Sequence, residues 1–196
     1  KKRILLNICM VIPIILVAVC GIMAVGSVKG WFDDSTETSG NLTVTEKTGI
    51  AMIERNGIAY EVSEGTVVRE GDILYTKNAS TLQIGDAEKS RISLDGNAEI
   101  SKQAVGEAIS VEVLKGDALV DARGMTGVSA LSGETQVLLD GAVASVSTQA
   151  GSGMVYVYAG SISATKAEET VTADAGCVVT AVTNSEKMEL ADFGAN

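Results

Sequence analysis

The uncharged segment near the amino terminus restricts the fold more than any other feature of this chain. Twenty-five consecutive residues, from Ile4 to Val28, carry no charge, and most of them are aliphatic. At about 1.5 Å per residue, a helix of this length crosses a hydrocarbon core of roughly 30 Å. Pro13 is tolerated in such a helix because lipid offers the backbone no better hydrogen-bond partner. The sequence therefore predicts a transmembrane helix over residues 4–28.

Charge at the two ends of this segment predicts its orientation. Residues 1–3 are Lys, Lys and Arg, and Trp31 and Phe32 follow the apolar run as interfacial aromatics. Positive residues stay inside, so residues 1–3 are expected to form a cytoplasmic stub. The remainder is then extracytoplasmic, held at the cell membrane by a single pass. A cleaved signal peptide is the alternative, but its apolar core usually spans only about 7 to 15 residues.

Composition excludes several classes of function. Histidine is absent from the 196 residues, which removes Ser-His-Asp triads, Cys-His pairs and histidine zinc sites. Cys177 has no thiol partner after residue 28, so no disulfide is expected there. Residues 29–196 contain 12 Lys and Arg against 25 Asp and Glu, a net charge of −13, which repels nucleic acid. We expect a protein that is not an enzyme, needs no cofactor and binds no nucleic acid.

The rest of the chain divides into a tether, a β domain and a tail. Residues 29–46 are mostly small and polar, as expected of a tether, and residues 184–196 are interpreted as a carboxyl-terminal tail. Residues 47–183 show apolar residues with period two, which predicts strands with one buried face. The clearest runs are Ala59–Val62, Thr81–Ile84, Arg91–Leu94 and Ile109–Val113.

Four later runs are less polar, and we expect them to be covered on both faces. They are Ala142–Val146, Met154–Tyr158, Ser161–Ala164 and Val178–Val182. Residues 97–107 have weak helical periodicity, but Gly96 and Gly106 bracket them too closely, so strand and loop are favoured. Tight connections are predicted at Gly71-Asp72, Gly85-Asp86, Asp95-Gly96, Gly116-Asp117, Asp140-Gly141 and Gly160-Ser161. The pattern predicts an all-β domain.

Several motifs in this domain together resemble the FecR domain family. The main one lies in residues 64–84, where Gly71-Asp72 precedes two apolar residues, a Tyr and Thr76. Further similar motifs follow in order at Leu114–Val120, Gly141–Val146 and Val155–Ile162. The chain departs from the family pattern at Ala142, where Thr is usual, and at Ala144, where Phe is usual. The resemblance covers residues 47–183, and each motif alone has low specificity.

The resemblance implies an extracytoplasmic all-β domain, a β-sandwich or a short β-solenoid, behind a single membrane helix. It also implies a sensory or signal-transduction role that depends on binding a protein or ligand. The best-known members pass a signal from an outer-membrane receptor to a cytoplasmic anti-sigma segment. Only residues 1–3 precede the apolar run, so such a segment is not among the residues of this sequence. A cell-surface scaffold or adhesion module is the alternative function.

Acidic residues near glycines were weighed as calcium ligands and as turn residues. They are Asp72, Asp86, Asp95, Asp117, Asp140 and Asp174, and no Asp-x-Asp-x-Asp loop occurs, which favours turns. Carboxylate pairs for glycoside hydrolysis can be drawn from Glu112 with Asp117 or Glu99 with Asp95. Only five aromatic residues follow Phe32, too few for a sugar-binding cleft.

Four further side chains carry possible chemistry. Ser152 lies between two glycines but has no base to activate it, so a hairpin is the better interpretation. Tyr156 and Tyr158 share one strand face, where core packing is favoured over a protein interface. Cys177 is expected to be a buried, inert thiol. We therefore predict no catalytic, cofactor-binding or metal-binding residues.

Overall fold

The computed structural model describes residues 42–85, 90–105, 108–183 and 185–193. The predicted stub, the predicted helix over residues 4–28 and residues 29–41 of the tether lie outside these ranges. Within them every regular element is a strand, which confirms the all-β prediction. The described ranges contain no apolar helix long enough to cross a membrane.

The described part of the chain forms fifteen strands. They are β1 Leu42–Arg55, β2 Ile58–Glu61, β3 Val67–Val68, β4 Ile73–Gly85, β5 Ser90–Asp95, β6 Glu99–Val105, β7 Ala108–Asp121, β8 Ser129–Ser132, β9 Thr135–Leu138, β10 Val143–Gln149, β11 Ser152–Ala159, β12 Ser161–Lys166, β13 Glu169–Asp174, β14 Cys177–Ala181 and β15 Met188–Asp192.

Three long strands, β1, β4 and β7, are shared by two layers. One half of each shared strand lies in the first layer, together with β3, β5, β10, β11, β14 and β15. The other half lies in the second layer, together with β2, β6, β8, β9, β12 and β13. All ladders are antiparallel except β7 with β8. Strands β10 and β11 of the first layer approach β8 of the second across one apolar core. The result is two layers that face each other, unlike a solenoid of parallel strands.

Left-handed backbone positions bend the shared strands where they pass between the layers. Gly116 has φ 75° inside β7, Asn78 has φ 54° inside β4, and Gly49 has φ 73° inside β1. A Cβ on Gly116 would lie 2.9 Å from the Cα of Ala98, so a side chain is excluded there. The predicted tight connection at Gly116-Asp117 is therefore wrong, because both residues lie within a continuous strand.

The domain extends beyond its predicted limits at both ends. Strand β1 begins at Leu42, inside the residues interpreted as tether, and β15 lies inside those interpreted as tail. Leu42 is fully buried and Met188 nearly so, which explains why both strands belong to the domain. Residues 99–105 form β6, so the choice of strand over helix for that region is confirmed.

Burial alternates strictly in the strands that were expected to be covered on both faces. In β10, Ala144 and Val146 are buried while the intervening Ser145 is half-exposed, and β11 and β12 follow the same alternation. The expectation was wrong because small Ser and Thr residues give the outer face little polarity. Each layer therefore has an outer face that remains available to solvent.

Candidate protein-binding face

Two tyrosines of β11 lie on the outer face of the first layer. Val155 and Val157 alternate with them and are buried in the core, whereas Tyr156 is half-exposed and Tyr158 is 52% exposed. The preference for core packing of the tyrosines was wrong, and the exposed-face alternative describes their position. The sequence correctly placed the two valines on one face and the two tyrosines on the other.

Phe193, directly after β15, completes an aromatic cluster with these tyrosines. Its ring centroid lies 5.6 Å from that of Tyr156 and 5.7 Å from that of Tyr158, with interplanar angles of 73° and 74°. Edge-to-face packing of this kind stabilises aromatic pairs. The Phe193 N–H also donates to the Gly176 carbonyl at 2.8 Å, which anchors the backbone beside the cluster.

We call Tyr156, Tyr158 and Phe193 the aromatic triad. Sequence reasoning did not include Phe193, which lies in the predicted tail. The alternation of Met188 and Leu190 before it was the available signal, because period two continues there.

Cross-strand register extends this outer face on both sides of the triad. Tyr156 is opposite Val178 in β14 and Ser145 in β10, and Ser145 is opposite Leu119 in β7. Leu119 is 41% exposed, and Ala191 continues the row beyond Val178. Exposed aromatic and aliphatic side chains grouped on one face are typical of protein contact surfaces.

The carboxyl-terminal part of the chain, which contains the triad, is strongly acidic. Residues 124–196 contain eight Asp and Glu but only two Lys. Lys166 is one of the two, and it is 5% exposed, with its Nζ donating to the Val182 carbonyl at 2.8 Å and lying 3.5 Å from a Glu134 oxygen. Lys187 is therefore the one exposed cation among the described residues of this region. A cationic partner matches this surface.

Asp72, the acid of the main FecR-like motif, is buried and hydrogen-bonded in the turn before β4. Its side chain is 1% exposed, and both of its oxygens accept hydrogen bonds from Arg55, Oδ1 from Nε and Oδ2 from Nη2, each at 2.7 Å. The Arg69 N–H donates to Oδ2 at 2.6 Å, which closes the turn before β4. The turn interpretation of Asp72 is confirmed.

Lys102 lies on the other side of the same turn. Its N–H donates to the Asp72 carbonyl at 3.1 Å, and its Nζ donates to the Val68 carbonyl at 3.1 Å. Partial burial lowers the pKa of Lys102, and the nearby charges of Asp72 and Glu70 offset part of this effect. The motif thus contains a buried anion and a partly desolvated cation.

The remaining candidate acids do not converge on one site. Asp140 accepts a hydrogen bond from the Val128 N–H at 3.1 Å, Asp95, Asp117 and Asp174 are exposed, and Asp86 lies outside the described residues. Among the described residues, no group of three or more Cys, Asp or Glu could hold a metal ion.

The proposed carboxylate pairs are separated by the strand geometry. Glu112 and Asp117 lie on opposite sides of the bend at Gly116 in β7. Asp95 ends β5, whereas Glu99 begins β6 opposite Lys115.

Ser152 and Cys177 are both part of local structure. Ser152 pairs with Gln149 across the β10–β11 hairpin, which confirms the hairpin interpretation. The Cys177 thiol is half-buried and lies 3.4 Å from a carboxylate oxygen of Asp192, to which it donates. Burial, followed by this hydrogen bond, raises the pKa of the Cys177 thiol. The thiol is therefore protonated and weakly nucleophilic at neutral pH.

Comparison with known proteins gives limited similarity. No family model matches the chain, and no curated protein is detectably similar to it. Two solved structures, each described as a "putative anti-sigma factor" from Parabacteroides distasonis, are 13% and 12% identical to it. Each alignment covers 65% of this chain and 59% of that chain, with a TM-score of 0.47. The chain thus matches less than two thirds of the length of these structures.

Proposed function

We propose that this protein is a membrane-anchored signal-transduction protein of the FecR type that acts by binding another protein, without catalysis. The aromatic triad carries the proposal, because Tyr158 is exposed, Tyr156 and Phe193 are half-buried beside it, and aromatic side chains are enriched at protein interfaces. The ordered FecR-like motifs support the signalling role. The partner passes a signal that regulates a sigma factor.

The membrane anchor is part of this proposal and has its own test. Residues 4–28 span the membrane, residues 1–3 are cytoplasmic and the β domain is extracytoplasmic. Intact cells with a permeabilised outer envelope should lose the β domain to added protease, while alkaline carbonate should leave the chain in the membrane fraction. Val17→Arg places a charge near the middle of the apolar segment and should release the chain from this fraction. A β domain that resists protease in these permeabilised cells but is cut after the cells are lysed contradicts the topology.

The binding role is tested by complementation in the native host. Deletion of the gene should alter transcription of a defined set of genes, and the wild-type gene should restore it. The double variant Tyr156→Ser with Tyr158→Ser removes the two outward rings and leaves Val155 and Val157 in the core. We expect it to fold but fail to restore transcription.

Thr170→Ala is the matched control, because Thr170 is an exposed side chain of β13 in the second layer. It should restore transcription fully. Unchanged transcription after deletion of the gene contradicts the signalling role and favours a scaffold. Full complementation by the tyrosine variant contradicts the assignment of the binding face.

A further inference from the structure

Strand β15 presents an open backbone edge next to the aromatic triad. Among the described strands it pairs only with β14. The Phe193 N–H points to the Gly176 carbonyl in the turn before β14, and backbone directions alternate along an antiparallel strand. Ala191 therefore also faces β14, whereas the N–H and C=O groups of Leu190 and Asp192 face away from it.

One position of this edge is closed and the others are exposed. The Met188 N–H, which shares the outward direction, donates to a Glu169 oxygen at 2.7 Å. Leu190 is 50% exposed, and Asp192 is exposed as well. Natural edge strands are protected by short length, charged side chains, Pro or a bulge, and β15, MELAD, has two acids but no Lys, Pro or bulge. These acids disfavour another acidic strand, so the edge is suited to a basic one.

The side chains around this edge define the chemistry of such a strand. A strand added beside β15 places every second side chain on the outer face that carries Ala191 and Phe193. Apolar side chains at those positions would contact the triad. Glu189 and Asp192 are exposed acids of β15, and Lys187 just before the strand is the nearby exposed cation. Asp192 lies on the face opposite that of Ala191 and Phe193, so Lys or Arg residues that alternate with the apolar ones would be attracted to it.

We propose that β15 binds an extended, basic segment of a partner protein as an additional β-strand. Apolar residues of this segment pack beside the aromatic triad on the outer face, and its alternating Lys or Arg residues pair with Asp192 on the opposite face. Main-chain hydrogen bonds at Leu190 and Asp192 supply affinity, and side chains supply specificity. This inference rests on the proposed function, because it specifies how the protein partner is bound.

A designed peptide tests the proposal with the full chain in phosphatidylcholine nanodiscs, which carry no net lipid charge. The probe is fluorescein-labelled Lys-Val-Lys-Val-Lys-Val-Lys, and binding is measured by fluorescence anisotropy. A peptide of the same length with Glu in place of Lys should bind at least about tenfold more weakly, a difference of about 1.4 kcal/mol. A Lys peptide N-methylated along one edge should also lose binding, because it cannot complete the ladder.

Leu190→Pro is the decisive variant, because it removes an N–H that faces away from β14. It leaves the β14–β15 ladder intact. It should lower the affinity for the Lys peptide about tenfold, because one edge hydrogen bond is lost and the edge is no longer straight. Ala59→Pro is the matched control in edge strand β2. Arg55 and Ile58 form the hydrogen-bonded pair that flanks a two-residue turn. Because hydrogen-bonded pairs alternate along the ladder, the Ala59 N–H faces away from β1. This control should bind the peptide as the wild type does.

Each outcome has one meaning for the proposal. Equal binding of the Lys and Glu peptides, or unchanged binding by Leu190→Pro, overturns it. Unchanged binding of the N-methylated peptide overturns it even where Leu190→Pro fails to fold. Complementation separates this proposal from the proposed function. If the variant with Tyr156→Ser and Tyr158→Ser fails to restore transcription but Leu190→Pro restores it fully, strand addition is refuted and the proposed function stands.

Discussion

Removing the Asp72 carboxylate should destabilise the domain more than any exposed charge would. Asp72 is 1% exposed and joins three backbone or side-chain donors, two from Arg55 and one from the Arg69 N–H. In Asp72→Ala, the Arg55 guanidinium loses its anion but retains the Val67 carbonyl at 2.9 Å. The Arg69 N–H is left without its 2.6 Å acceptor.

The expected loss follows from the burial of the pair. Removing one partner of a buried ion pair costs about 3–5 kcal/mol. The Arg55 side chain is 23% exposed, so water partly compensates its charge and the lower end, about 3 kcal/mol, applies. For a domain of this size, this corresponds to a decrease in Tm of roughly 6–12 °C. Asp72→Asn keeps one acceptor for the Arg69 N–H and should lose less.

The assay is thermal unfolding followed by circular dichroism, with Asp121→Ala as the control. Asp121 also accepts three hydrogen bonds from Arg123, two from the guanidinium at 2.9 and 2.6 Å and one from the N–H at 3.1 Å, but the Arg123 side chain is 64% exposed. Exposed pairs of this geometry contribute little, so the Tm should change by no more than the error of the measurement. If Asp72→Ala and Asp121→Ala unfold at the same temperature, burial of the Asp72 pair is not what stabilises this turn.

Three further changes have expected outcomes that follow from local geometry. Gly116→Ala should lower the free energy of unfolding by more than about 2 kcal/mol in urea titrations, because φ is 75° and Ala98 lies 2.9 Å from the new Cβ. The pKa of Lys102 is lowered in the folded state. Between this lowered pKa and the ordinary value of 10.5, the unfolded state therefore binds more protons than the folded state. The wild type should therefore gain stability relative to Lys102→Met over that window. Iodoacetamide should alkylate Cys177 more slowly than a free cysteine at pH 8, and Asp192→Asn should accelerate the reaction because Asp192 raises the thiol pKa.

Control variants and measurements test the physical cause given for each of these three predictions. Gly124 has φ 73° and no atom within 4 Å of the position of a Cβ, so Gly124→Ala carries backbone strain without the clash. An equal loss in both glycine variants contradicts the role of Ala98. A pH-independent difference between wild type and Lys102→Met contradicts the desolvation of Lys102. An unaltered alkylation rate in Asp192→Asn shows that the carboxylate does not control the thiol.

Local sequence patterns predicted the strands but not where a strand continues. Asp95-Gly96 and Gly116-Asp117 look alike, and both glycines have positive φ. Gly96 ends a strand, whereas Gly116 bends one, because β6 and β8 pair with β7 before it while β5 and β10 pair after it. Such pairing depends on residues distant in sequence. For the same reason β15 was not predicted, because among the described strands it pairs with β14 alone.

Burial of the tyrosines also depends on long-range packing. Period two places Tyr156 and Tyr158 on one face and the valines on the other, but it does not state which layer covers which face. The second layer covers the valine face, and Phe193, which follows β15, packs against both rings on the other face. The candidate site therefore could not be predicted as a cluster from the sequence.

The residues that resemble the FecR family and those proposed to bind the partner occupy different positions of the same strand. In the motif Val155–Ile162, the family pattern specifies Val155, Val157, the turn glycine and Ile162, and the three aliphatic residues are buried. Tyr156 and Tyr158 occupy its unspecified positions and face outward. The buried face of this strand thus carries the residues that match the motif, and the outer face carries those that the motif leaves open. Because the Asp72 turn belongs to the first set, Asp72→Asn should lower stability without changing peptide affinity per folded molecule, whereas Leu190→Pro should do the reverse.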